Sequence, residues 1–205
     1  GAGDALTTGG SNIALGYDAL GEHTTGTRNI AIGHGAMNST DAGSTSLGSN
    51  DNVFMGLDAG GGTWADAASN YNIGIGNYTL DAAMNGALNN IAIGHIALSA
   101  ITTGDNNIGI GSEAGTAITT GLKNIIMGVA AGKGLVGGSS NVAVGHNALY
   151  TEDGHGQNIA IGDSALFTLN AGAQGNNVAI GRYASYGMTT GTSNISIGES
   201  AMKVH

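Results

Sequence analysis

The unit N-[IV]-x-[ILVM]-G recurs eleven times, anchored at Asn12, Asn29, Asn52, Asn72, Asn90, Asn107, Asn124, Asn141, Asn158, Asn177 and Asn194. The spacing is 17 residues without a break from Asn90 to Asn158, and longer gaps of 23, 20 and 19 residues after Asn29, Asn52 and Asn158 read as loop insertions. A degraded unit, STSLG at 44–48, sits inside the first gap. A unit this short cannot bury its own apolar side. Stacking copies does bury it, so a sustained period of this length predicts a one-dimensional array. Residues 1–205 therefore read as a single repeat domain of eleven to twelve coils. It starts and stops partway through a unit, as a segment of a longer protein would.

The columns of the repeat predict its local structure. Ile or Val always follows the Asn, and a small residue usually separates it from a second large aliphatic one. Large–small–large is the period-2 mark of a β-strand. The next column is invariably Gly, at Gly16, Gly33, Gly56, Gly76, Gly94, Gly111, Gly128, Gly145, Gly162, Gly181 and Gly198, which predicts a bend or a positive φ. Three residues on stands Ala in ten of the eleven units, with Thr79 the exception. The expected fold is all-β: a parallel β-solenoid of about 17 residues per coil. At a strand spacing of about 4.8 Å it would be roughly 55 Å long. A ladder of Ile and Val is expected in its core and a stack of Asn side chains at one corner. The small central column would then face outward, against a second sheet or a neighbouring chain. A helical reading is poor, because so many Gly and β-branched residues would be costly in a helix.

Composition narrows the class. With 39 Gly but no Pro and no Gly every third residue, collagen is excluded. A 41% hydrophobic content with only 9% charged residues argues against disorder. The net charge of −9 comes from 14 acids against 5 scattered bases, so nucleic acid is not an expected partner. No apolar run approaches the roughly 20 residues that span a bilayer, so no membrane insertion is expected. The chain has no cysteine, hence no disulfide and no thiolate metal site.

The recurring N-[IV]-A-[IV]-G-x-x-A resembles the head repeats of YadA-like trimeric autotransporter adhesins and similar repeats in bacteriophage tail fibres. The resemblance covers nearly the whole chain and rests on recurrence in register. It implies a left-handed β-roll, association of three chains side by side into a homotrimeric rod, and exposure at an extracellular surface. The adhesin repeat is usually shorter than 17 residues, so longer loops are expected along one edge, as in phage fibres.

Several motifs resemble functional ones, and the repeat accounts for each. GDSAL at 162–166 resembles an esterase nucleophile block, but Gly162 and Ala165 are column residues and no Asp-x-x-His follows to complete a triad. SAMK at 200–203 fits Ser-x-x-Lys on variable columns, and GIGSEAG at 109–115 lacks the helix that would cradle a phosphate. His34, His95 and His146 share the column after the Gly. Facing a threefold axis, each would form a ring of three imidazoles able to hold a metal or an anion. That column also carries Tyr17, Asn77, Ser112, Asp163, Arg182 and Glu199, the make-up of a solvated position, and no metal or cofactor is expected. A Thr ladder for binding ice would need neighbouring coils to agree, yet the TTG segments are missing between Thr25 and Thr102. A glycan-cleaving site would need paired carboxylates and aromatic subsites, and the acids here are dispersed.

The expected function is structural and adhesive: a segment of a homotrimeric phage tail fibre on the virion surface, or alternatively of a bacterial adhesin on the outer membrane. The partners would be two further copies of the chain and a host cell-surface glycan or protein. The loops 38–51, 60–71 and 167–176 are the expected contact surfaces, with Trp64, the single tryptophan, as the receptor-contact candidate. No enzymatic activity is expected.

Overall fold

The computed structural model describes residues 1–40, 48–65, 67–152, 154–170 and 175–203. Apart from Gly48, the degraded unit at 44–48 lies outside them. Among these residues eleven three-residue strands, from β1 (Ile13–Leu15) to β11 (Ile195–Ile197), form one parallel sheet in strict sequence order. Each strand pairs in register with the next, so Ile91 lies beside Ile108 and Ala92 beside Gly109. The chain is a parallel β-solenoid of about ten turns of about 17 residues.

The backbone ladder repeats from coil to coil. Ile91 N–H donates to Asn107 O at 2.8 Å and Gly111 N–H to Ile93 O at 2.8 Å. Between the strands the path is made of tight turns, such as Ala97 N–H to Gly94 O at 3.3 Å and Ile101 N–H to Leu98 O at 3.3 Å. Each coil closes by visiting the left-handed region repeatedly. The column Gly adopts φ between 121° and 146° in all eleven units. Among the described residues every non-Gly residue with positive φ falls in one of three further columns: the residue before the Asn, the second after the Gly, and the fourth after it. Arg28 (φ 58°), Ile96 (φ 50°) and Leu98 (φ 48°) are examples. Such conformations cost about 1–2 kcal/mol each. Tertiary stacking carries this cost here, since Ile96 and Leu98 gain nothing locally from φ > 0.

The Asn column forms a continuous internal stack. Asn107, Asn124 and Asn141 are fully buried. Asn124 Nδ2 donates to Asn107 Oδ1 at 3.0 Å and to Gly138 O at 2.9 Å, while Asn124 Oδ1 accepts from Asn141 N–H at 2.9 Å. One side chain thus joins two coils and ties down the corner at which the strand begins.

The strand faces are reversed from the expectation. In ten of the eleven strands the central residue is buried, and the Ile and Val on either side point outward. Ala31, Ala92, Ala143 and Ala160 are inaccessible, whereas Ile93 is 37% and Ile125 40% exposed. The reason is the narrow cross-section of the coil. The interior is filled from the far walls, by Leu20, Met37, Leu80, Leu98, Leu149 and Leu166 in one column and by Ile101, Ile118, Leu135 and Leu169 in another. Only small side chains fit beneath them. A Cβ on Gly109 would lie 2.5 Å from Leu98 Cγ, and one on Gly74 2.5 Å from Phe54 Cδ1. Volume is traded between neighbouring rungs.

Candidate functional site

The outward Ile and Val residues form the largest feature of the surface. Each of the eleven strands presents two large aliphatic or methionine side chains, and no polar residue interrupts them from Ile13 to Ile197. The face is about 50 Å long and 10 Å wide, roughly 500 Å² in projection. The largest apolar patch on a typical monomeric soluble protein is about 300–600 Å² and often functional, and this face reaches that size in one unbroken strip.

His34, His95 and His146 are exposed beside this face, three coils apart, roughly 14 Å along the stack. Each has a local partner. His34 stacks on Tyr17 at 5.3 Å, His95 meets the edge of Tyr78 at 6.2 Å, and His146 Nδ1 lies 3.1 Å from Asp163 Oδ2. Within one chain they do not converge. Among the described residues no group of three or more His, Asp or Glu could hold a metal ion.

Trp64 is not a surface aromatic. It is 1% exposed and packs edge-on against Phe54 at 5.8 Å, filling the coil where a loop insertion widens it. Its position corrects the receptor-contact assignment. In the GDSAL segment, Ser164 is 6% exposed and its Oγ donates to Asp163 Oδ1 at 3.0 Å. The carboxylate stands between Ser164 and His146, the reverse of a base poised to take the hydroxyl proton.

Three polar features went unnoticed in the sequence. His23 and Glu152 occupy the interior column that holds Ile101, Ile118, Leu135 and Leu169 in other coils, and both are inaccessible. His23 Nδ1 lies 2.6 Å from Thr40 Oγ1, and Glu152 Oε1 is 2.8 Å from His155 Nδ1. Beside the second pair lies a shallow polar depression of about 270 Å³, lined by Ser139, Ser140, His155 and Gln157 among glycines. The third is Asp81, whose carboxyl is pushed up to about 6 by burial, with the Asp58 carboxylate adding to the effect.

The Asp81 shift has a measurable consequence. Native Asp81 holds its proton up to about pH 6, while the unfolded residue loses it near pH 4. The ionised form is therefore disfavoured by folding, and stability falls as pH rises through that window. Asp81→Asn is expected to raise stability by about 1–2 kcal/mol at pH 7.5, discounting for solvent, and to give no gain at pH 4. Urea denaturation of both proteins at the two pH values checks this. A gain that persists at pH 4 would show that the carboxyl is not the cause.

A second stripe lies one corner away from the Ile and Val face. Tyr150, Phe167 and Tyr186 occupy the same column in successive coils, half-buried and nearly parallel, with ring centroids 4.9 and 5.1 Å apart. Tyr183 meets Tyr186 edge-on at 5.5 Å. Lys133 continues the column on one side, with Nζ 5.9 Å from the Tyr150 ring, and Lys203 on the other, 5.0 Å from the Tyr183 ring. Strict column periodicity could have located this stripe in the sequence.

No protein-family model matches the chain, and neither a curated protein nor a solved structure matches it.

Proposed function

We propose that the chain is a structural and adhesive segment of a homotrimeric extracellular fibre, of the kind carried as tail fibres on phage virions. The observation that supports this is the uninterrupted Ile and Val face. A rod that buries its small residues and exposes its large aliphatic ones is complete as a fold but not as a surface. Covering the face with the same face of further copies removes the apolar area along the whole length without breaking the coil period. The resemblance of the repeat to trimeric adhesin and fibre repeats gives three copies and a left-handed coil. In such an assembly stiffness comes from the sheets, and each outer feature is presented three times. Weak contacts with a host-surface glycan or protein then gain through effective concentration rather than through a deep pocket.

Light scattering with size exclusion is expected to give about three times the 20.0 kDa chain mass. Ile93→Asp with Ile125→Asp places carboxylates on the exposed face, where the fold of one chain does not need the aliphatic side chains. This variant is expected to run as a single chain with an unchanged circular dichroism spectrum. A monomeric unaltered protein would overturn the reading.

A further inference from the structure

We propose that the aromatic column of Tyr150, Phe167 and Tyr186 is a binding stripe for a neutral, linear polysaccharide lying along the rod axis. The fold does not require rings here. The same column holds Gly21, Asn38, Gly61, Asp81, Ser99 and Thr116 in the other coils, and the solenoid stacks equally there. The adjacent interior positions Leu149 and Leu166 are inaccessible, so the core is already filled without the rings. Against this background the clustering stands out. Three of the six tyrosines, one of the two Phe and three of the five basic residues meet within the last coils of the chain.

The geometry suits a polymer with repeating apolar faces. The rings are within 13° of parallel, with centroids 4.9–5.1 Å apart. That exceeds the ~3.5–4.0 Å of carbon–carbon contact, which a parallel pair reaches by sliding sideways, and all three rings stay half-exposed along the stripe. The result is a stepped apolar stripe with one step per coil, against which the C–H faces of successive pyranose units can pack. The backbone beneath is held in place. Thr151 Oγ1 donates to Phe167 O at 3.0 Å and Thr168 Oγ1 to Tyr186 O at 2.8 Å, so the platform is rigid before any ligand arrives.

Charge selects the ligand class. Lys133 is paired with Glu113, and Arg182 with Glu199 at 3.4 Å. The stripe therefore offers both donors and acceptors to sugar hydroxyls, and with Lys203 added to the two ion pairs its charge comes to about one positive. The chain as a whole carries −9 and repels polyanions, which disfavours nucleic acid and acidic glycans. A peptide strand would need an open sheet edge, and the stripe has none.

This inference rests on the reading of the chain as an adhesive fibre, and the test separates the two. Binding of the assembled protein to immobilised xylan, mannan and cellulose is measured beside polygalacturonate and a single-stranded DNA oligonucleotide. At least one neutral polysaccharide is expected to bind, with little dependence on salt. Tyr150→Ser, Phe167→Thr and Tyr186→Ser together use residue types the column already accepts at Ser99 and Thr116, so the coil should form. This variant is expected to lose at least tenfold in half-saturating concentration, while Lys123→Gln on another face changes nothing. Binding only to the anionic probes, binding to none, or unchanged binding by the triple variant would overturn the stripe. A trimeric mass with no glycan binding sinks the stripe alone, whereas a monomeric mass sinks the fibre reading.

Discussion

Asn124→Ala is expected to destabilise the solenoid by about 2–5 kcal/mol, because it leaves buried polar groups without partners in two coils. Asn124 is inaccessible, and its side chain makes hydrogen bonds both to the preceding rung and to the following one. Its loss strips Gly138 O of the amide at 2.9 Å and Asn141 N–H of its acceptor at 2.9 Å. Asn141 Nδ2 retains His155 O at 3.1 Å, and Asn107 Oδ1 retains Asn124 N–H at 3.1 Å, so about two groups are orphaned. Asn124→Asp keeps an acceptor but loses both donors, and sets a carboxylate oxygen against Asn107 Oδ1 and Gly138 O. Its folded pKa is then raised, so this variant regains stability as pH falls. Asn194→Ala is the comparison. Its amide donates to Asn177 and Met188, and among the described residues no further strand stacks beyond β11, so a cost below about 1 kcal/mol is expected. Urea midpoints of the three variants check the order. Equal costs for Asn124→Ala and Asn194→Ala would show that the stack is not cooperative.

What was legible in the sequence follows from which features are local. The strands, the Gly bends and the Asn stack could all be read because each is dictated by the residue in its own column. Asn107 and Gly111 do the same work in any coil, so repetition exposes them. The side of the sheet that faces inward was not local. Ile91–Ala92–Ile93 alternates equally well with either side in the core. What decides is the volume supplied by Leu98 and Ile101 from the opposite walls, and this depends on how the path closes. The positive-φ columns were hidden for a related reason. Ile96 and Leu98 are poor left-handed residues by intrinsic preference, and stacking overrides that preference. Trp64 was misplaced because an insertion can turn inward as well as outward. The aromatic stripe was present in the letters of a single column, Tyr150, Phe167 and Tyr186, but recognising it required knowing that one column step is one strand spacing.

The same stacking makes the Gly column the most sensitive backbone position, and Gly111→Ala is expected to cost about 4 kcal/mol or more. Two effects add. At φ 131° an L-residue is strained whatever the space around it, which costs about 1–3 kcal/mol. Independently, the new Cβ would lie 2.6 Å from Gly128 O and 2.7 Å from Gly128 C, both backbone atoms of the next coil. Neither can rotate away, so the coils must part, and the Asn107–Asn124 contact beside them lengthens. Gly198→Ala separates the two effects. It shares the strained φ of 121°, but a Cβ there meets nothing within 4 Å, so only the strain of about 1–3 kcal/mol is expected. Gly137→Ala is the third arm: its Cβ would meet only Thr120 Oγ1 at 3.7 Å, and its φ lies outside the left-handed region. There the smaller unfolded-state entropy of Ala should leave stability unchanged or raise it by up to about 1 kcal/mol. Thermal and urea unfolding are expected to rank the variants Gly111→Ala, Gly198→Ala, Gly137→Ala from most to least harmful. If the first two fell together, conformational strain alone would explain the column, and close coil-to-coil approach would not be what excludes a side chain from it.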